Sequence, residues 1–207
     1  MAAAQEVPRY ETFLGYTYIR ANQNNNNAGL GERTGSFDMN GGSGQFIYNF
    51  NKFFSGVADL GAAAKGNVGV VNVQNTTALF VFGPRVSHHM SRFTPYGQVL
   101  FGEAYMANSR RVNAVTDATE TGLLGVTTNN LFPGPGQQIA ARLTDSQSAF
   151  AMTAGGGIDI KINKHIGFRP VAVDYLLTRF QSLTTGKQYN QNNLRASAGI
   201  IFTFGAQ

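Results

Sequence analysis

Apolar and polar residues alternate with a period of two through eight long segments of this chain, at residues 9–20, 37–48, 53–64, 77–86, 93–106, 148–162, 165–180 and 193–204. That period puts successive side chains on opposite faces of a β-strand. The segments run for ten to sixteen residues. Strands of soluble proteins average about 5–6 residues, and a tilted strand that crosses a bilayer needs about 9–11. No run of 18 apolar residues occurs, so no transmembrane helix is written here. Only helices and closed barrels span a bilayer. The segments therefore predict an all-β fold, an eight-stranded antiparallel up-and-down transmembrane β-barrel.

The connections add a second constraint. Three are short, at 49–52, 87–92 and 163–164, and four are long, at 21–36, 65–76, 107–147 and 181–192. They alternate, long then short, as expected where successive connections lie at opposite ends of a cylinder. Membrane barrels of this kind carry short periplasmic turns and longer extracellular loops. The expected organisation is an N-terminal periplasmic extension at 1–8, a barrel at 9–204 and a C-terminal tail at 205–207. Both termini and the short turns then face the periplasm. The connection at 107–147 is too long to be structureless by default. It can cap the barrel, extend its strands or dock a protein partner.

Parity assigns the two faces. In the fourth segment Ala78, Phe80, Phe82 and Val86 oppose Thr77, Gly83 and Arg85. In the sixth, Phe150, Met152, Ala154, Ile158 and Ile160 oppose Thr153, Gly157, Asp159 and Lys161. In the last, Leu194, Ile200, Phe202 and Phe204 oppose Arg195, Ser197 and Thr203. A soluble barrel has the same period with its apolar face inward. The polar face here is mostly Gly, Ser, Thr and isolated charges, with few of the Lys and Glu residues that coat soluble strands. The apolar set is accordingly expected to face lipid, with aromatics such as Tyr16, Tyr18, Tyr48, Phe50, Phe53, Phe54, Tyr105, Tyr175 and Phe180 near strand ends as an interfacial girdle.

Glu11, Asp59, Arg85, Asp159 and Arg195 fall on the inferred inner face. An eight-stranded barrel is just wide enough for side chains to fill it. Unpaired charges inside would cost several kcal/mol, so an internal ion-pair network among these residues is expected. Arg169 and Asp174 have opposite parity in the seventh segment. Either Pro170 marks a bulge or Arg169 sits at headgroup level.

Composition narrows the function classes. Charged residues make up only 13% of the chain and glycine numbers 25. Cysteine is absent, which excludes disulfides and thiolate metal sites. The net charge is +5, yet basic residues are scattered and form no stripe, so no nucleic-acid partner is expected. Attraction to anionic lipid is an equally simple use of that charge. The opening Met-Ala-Ala-Ala-Gln-Glu has neither a charged n-region nor an apolar h-region and reads as the start of a mature chain.

Five stretches carry a family resemblance: Phe-Leu-Gly-Tyr-Thr-Tyr-Ile-Arg at 13–20, Tyr-Asn-Phe-Asn-Lys-Phe-Phe-Ser-Gly-Val-Ala-Asp at 48–59, Phe-Val-Phe-Gly-Pro-Arg at 80–85, Gly-Gly-Gly-Ile-Asp-Ile-Lys-Ile-Asn-Lys-His-Ile at 155–166 and Asn-Leu-Arg-Ala-Ser-Ala-Gly-Ile-Ile-Phe-Thr-Phe at 193–204. In these the chain resembles the OmpA/OmpX-like small outer-membrane β-barrels. The resemblance implies residence in the outer membrane, contact with its lipid and lipopolysaccharide, and a structural or adhesive role. It also implies delivery by the outer-membrane assembly machinery, which reads an aromatic closing the last strand. Phe204 matches that signal, although Gly205, Ala206 and Gln207 follow it.

No pattern of catalysis appears. Enzymes of this size class place a histidine on the outer wall or near the extracellular rim. The three histidines here, His88, His89 and His165, lie at short turns. His88 and His89 are adjacent, so on an extended chain they point to opposite sides and do not form a metal site. Gly155-Gly156-Gly157 is followed by neither a Lys-Ser/Thr pair nor a helix and is not a phosphate loop. No enzyme, cofactor or metal is expected. Two other uses of such a wall stay open from the residues alone: a narrow pore for small solutes, and a soluble, lipocalin-like binding barrel.

Overall fold

Eight antiparallel strands pair in sequence order and the last pairs with the first, so the sheet closes on itself. The computed structural model describes residues 7–22, 36–68, 73–115, 138–181 and 188–206. The strands are β1 (Pro8–Asn22), β2 (Ser36–Asn49), β3 (Phe54–Val68), β4 (Val73–Ser87), β5 (Phe93–Val115), β6 (Gln138–Lys161), β7 (Ile166–Gln181) and β8 (Gln188–Ala206). No helix occurs among the described residues.

Several strands run further than the alternation suggested. The loops expected at 65–76, 107–147 and 181–192 begin and end as strand: β3 and β4 stay paired to Val68 and Val73, β5 and β6 to Val115 and Gln138, and β8 starts at Gln188. Backbone pairing is indifferent to side-chain polarity, so Asn, Ser, Arg and Thr continue a ladder once it has formed. What remains of those connections, at 69–72, 116–137 and 182–187, lies outside the described residues, as does most of the connection at 21–36. At the other end Pro8 pairs with Ala206. Pro8 is thus already part of the first strand, and Gly205 and Ala206 are part of the last, with Gly205 at a φ of 71°.

Two of the three short turns are built alike. The Asn51 side-chain oxygen accepts from the backbone N–H of Phe53 and Phe54 at 2.8 and 2.9 Å. Asn163 does the same for His165 and Ile166, both at 2.8 Å. Each closes a tight reversal without a long loop.

A bulge in β7 resolves the opposite parity of Arg169 and Asp174. Ile158 pairs with Val171 and Ile160 with Phe168, so β7 holds one residue more than β6 across this stretch. It is likewise one longer than β8 between Arg169 and Ala172. Pro170 and Val171 both face outward, and Arg169 and Asp174 are both buried. Proline has no N–H to contribute to a ladder, which suits this position.

Glycine is required where strands approach most closely. Gly15 and Gly199 lie opposite one another. A Cβ on Gly199 would sit 2.3 Å from the Leu14 carbonyl oxygen. Overpacking of this kind costs about 1–3 kcal/mol or more. Gly199→Val is expected to lose the folded form that migrates faster on unheated detergent gels. Gly97→Ala, whose added carbon would meet nothing nearer than 3.8 Å, is expected to retain it. Equal shifts in the two variants would refute this role for Gly199.

Candidate functional site

The cylinder wall sorts side chains by parity, and the lumen it encloses is the place where polar chemistry concentrates. Phe80, Phe82, Phe150, Ile158 and Ile200 are exposed on the outer surface, and Met152, Ile160 and Phe202 share that face. Phe204 is exposed near the end of β8, where it pairs with Tyr10. Aromatics collect toward both borders of this outer surface. Tyr10, Tyr48 and Phe50 form a contact chain beside the short turns, with ring centroids 5.4 and 5.1 Å apart. Toward the other end Tyr16, Tyr18 and Tyr175 donate their hydroxyls to Asn40, Asp38 and Asn192 on neighbouring strands. An apolar ring with a bonded polar tip is the arrangement of an interfacial aromatic.

Inside, the half of the lumen nearer the short turns is charged. The guanidinium of Arg195 on β8 donates twice to Asp59 on β3, at 2.8 and 2.9 Å, across the barrel. Arg169 on β7 also donates twice, side-on through Nε and Nη2, to Asp159 on β6, at 2.7 and 3.0 Å. Two parallel N–H···O bonds fix both partners' orientation as well as their charge. Arg85 on β4 is joined to the acids through amides. It donates to the Gln98 side-chain oxygen at 2.6 Å and to that of Gln45 at 2.7 Å. Gln45 then donates to Asp59 at 2.7 Å, and Gln98 to Asp174 at 3.3 Å. The Gln45 oxygen also accepts from Arg169 at 2.7 Å, so one amide ties two guanidinium groups to a carboxylate.

Aromatic faces complete the layer. The Tyr96 ring lies 4.0 Å from the Arg85 guanidinium and 4.6 Å from that of Arg169. Arg169 also stands 4.3 Å from the Phe13 ring. A desolvated guanidinium gains from the negative face of such a ring.

Of the residues singled out in the sequence, Asp59 and Arg195 meet directly. Asp159 meets Arg169 instead. Arg85 reaches acids only through glutamines. Glu11 stands apart near the short-turn mouth, where Asn49 donates to it at 2.6 Å and the His89 ring approaches to 3.7 Å. His88 and His89 do point to opposite sides: His88 stacks on Phe53 outside, and His89 turns toward Glu11. Sequence reasoning missed Gln45, Gln98, Tyr96 and Phe13, all on inward parity, because it searched that face for charges alone.

It also missed the aliphatic share of the lumen. Ile19, Met39, Leu79, Val81, Leu100, Ala104 and Leu176 form one buried cluster inside the barrel, which extends to Ile47 and Val57 near the short turns. Thr17, Ser43, Asn75, Thr77 and Thr178 are buried on the same inner face, so apolar and polar side chains share it where Gly, Ser, Thr and isolated charges were expected. Single apolar residues at inward parity, such as Leu79 between Ala78 and Phe80, were the available signal.

Chemically, the arrangement holds strands together. Asp59 and Asp159 each accept two hydrogen bonds from one guanidinium, and Asp59 accepts another from Gln45. Among the described residues no group of three His, Cys, Asp or Glu side chains is placed to hold a metal ion. Removing one partner of a buried pair typically costs about 3–5 kcal/mol, because the other charge is left uncompensated. Arg195→Ala should lose stability of that order in urea titrations of the detergent-folded barrel. Combining Asp59→Leu with Arg195→Met should cost less than the single change. A double variant less stable than Arg195→Ala would contradict the pairing.

Comparison with known proteins agrees with this architecture. The chain matches the outer membrane protein beta-barrel domain family over residues 1–202. It is similar in structure to Ail, the attachment invasion locus protein of Yersinia pestis, at 12% identity, with 95% of this chain and 99% of that one covered and a TM-score of 0.52. It is also similar to Neisserial surface protein A, at 9% identity, with 97% and 100% covered and a TM-score of 0.56. At these identities the likeness is one of fold. No curated protein matches the chain by sequence. The chain belongs to the outer membrane protein beta-barrel domain family and is an outer-membrane β-barrel protein.

Proposed function

We propose that this barrel is an integral structural and interaction protein of the bacterial outer membrane, and that it recognises its partner through the hairpins at its long-connection end. The observation that carries this reading is the reach of β5 and β6. These strands remain paired as far as Val115 and Gln138. Pairing on the β4 side stops at Gln74 with Ser109, and on the β7 side at Phe150 with Arg179. The hairpin thus continues past both neighbours. An element that needs no further length to cross a membrane gains nothing for the barrel by projecting. It does carry the chain beyond the neighbouring strands, where another molecule can meet it.

The remaining placements follow from the same frame. The outward Phe80, Phe82, Phe150, Met152, Ile158, Ile160, Ile200 and Phe202 contact lipid and the surrounding lipopolysaccharide. The short turns, the start of β1 and the end of β8 face the periplasm, and the long hairpins face outward. Phe204 serves as the aromatic that the assembly machinery reads. The exposed aromatic wall speaks against a soluble, lipocalin-like barrel. The close filling of the lumen, where Arg169, Arg195, Phe13, Leu100 and Leu176 are all fully buried, speaks against a conducting pore, because a water path would have to pass them. The lumen has no role as a catalytic site in this reading.

In planar bilayers the purified barrel is expected to show no discrete single-channel steps, and regular steps would return the pore reading to first place. Joining Ser109 to Thr144 by Asn-Gly removes the projecting hairpin and leaves the wall intact. Cross-linking on intact cells should then lose the partner bands seen with the full chain, whereas unchanged bands would count against recognition by this hairpin.

A further inference from the structure

One carboxylate on the outer wall has no place in the lumen network. Glu103 lies on the exposed face of β5. Its register partners are Phe80 on β4 and Phe150 on β6, and Phe101 and Tyr105 flank it along its own strand. All four aromatic neighbours are themselves exposed, at 51%, 48%, 44% and 47%. Among the described residues the Glu103 side chain makes no hydrogen bond or ion pair. A charge facing lipid without a partner destabilises a barrel in a depth-dependent way.

Depth and shape bear on what could supply that partner. Glu103 lies ten residues beyond Phe93 along β5. At about 3.3 Å per residue and a tilt of about 40°, that places it roughly 25 Å above the lower aromatic border. This is about the height of the apolar band of such barrels. Glu103 therefore sits at the upper edge of that band, with Tyr105 one outward position above. It borders an open groove of about 650 Å³ on the outer wall. The groove's floor is made of Gly42, Gly44, Ala62 and Ala78, and Leu60 and Phe80 contribute apolar surface. An apolar trough in the lipid layer that ends at a carboxylate surrounded by aromatic rings is complementary to one kind of molecule. Its chain lies in the trough. Its head is cationic, attracted both by the carboxylate and by the aromatic faces. A phosphate head would be repelled by the same carboxylate.

We propose that Glu103, with Phe80, Phe101, Tyr105 and Phe150, forms a seat for an amine-headed lipid of the surrounding membrane, whose acyl chain occupies the Gly42–Gly44–Ala62–Ala78 groove. The proposal rests on the outer wall facing lipid. It assigns to one patch of that wall a head-group preference that the rest lacks.

The test uses the full chain in dodecyl maltoside micelles with spin-labelled stearylamine or spin-labelled stearyl phosphate, read as the motionally restricted fraction by electron paramagnetic resonance. The wild type should hold the amine about tenfold more tightly than the phosphate, equivalent to about 1.4 kcal/mol. Glu103→Gln should abolish most of that preference, and Glu103→Lys should invert it. Ala62→Leu combined with Ala78→Leu should weaken amine binding by filling the trough. These positions face outward, and the unheated gel shift reports that each variant is folded. Equal restriction of the two probes by the wild type, or an unchanged preference in Glu103→Gln and Glu103→Lys, would overturn the seat while leaving a lipid-contacting wall in place. Absence of restriction for either probe would overturn the wall reading and the seat together.

Discussion

Backbone N–H and C=O groups have no water to bond with inside a bilayer, and each one left unpaired there costs several kcal/mol. The seam between β1 and β8, paired from Pro8 with Ala206 to Arg20 with Leu194, removes the two edges the sheet would otherwise present. Much else in the molecule follows from that closure. Eight strands make a narrow cylinder, and a narrow cylinder must be filled by its own side chains. Filling it leaves no room for the hydration shells of charged groups. Any charge inside must then be satisfied by another part of the wall, which is the situation of Arg169, Arg195, Asp59 and Asp159.

The way those charges are satisfied also stiffens the barrel across its diameter. Arg195 and Asp59 belong to strands that do not pair with one another, and Gln45 receives a guanidinium from β4 and another from β7. Such contacts resist changes in cross-section that strand-to-strand hydrogen bonds alone would allow. A buried ion pair is weak evidence for net stability when compared with an apolar filling of the same volume. Its geometry is nevertheless demanding, so it favours one register over its neighbours. The aliphatic side chains packed among these groups contribute burial without that selectivity.

The period of two made the fold legible. Phe80, Phe82 and Val86 against Thr77 and Arg85 already described a two-faced wall, and the alternation of short and long connections described its two ends. Strand limits beyond about residue 106 in β5 and before residue 148 in β6 were not legible, because Ser109, Arg110 and Thr144 read as loop while the ladder continues through them. The candidate site was legible only in part. Asp59 and Arg195 could be placed inside by parity, but their pairing across the barrel depends on the tilt and stagger of strands that one sequence does not display. Arg169 could not be placed until the bulge was seen. Gln45 and Gln98 carry no charge to attract notice, yet they link the network into one piece.

That bulge has a wider meaning for how this chain can vary. Before Pro170 odd-numbered residues of β7 face the lumen, and after Val171 even-numbered ones do, so the strand is written in two phases joined at a single point. A substitution at either position alters one outward side chain. Loss of one residue there would rotate everything on one side of the junction by half a pleat, presenting either Arg169 or Asp174 to the bilayer and withdrawing aliphatics into the lumen. At this junction length is held more strictly than identity.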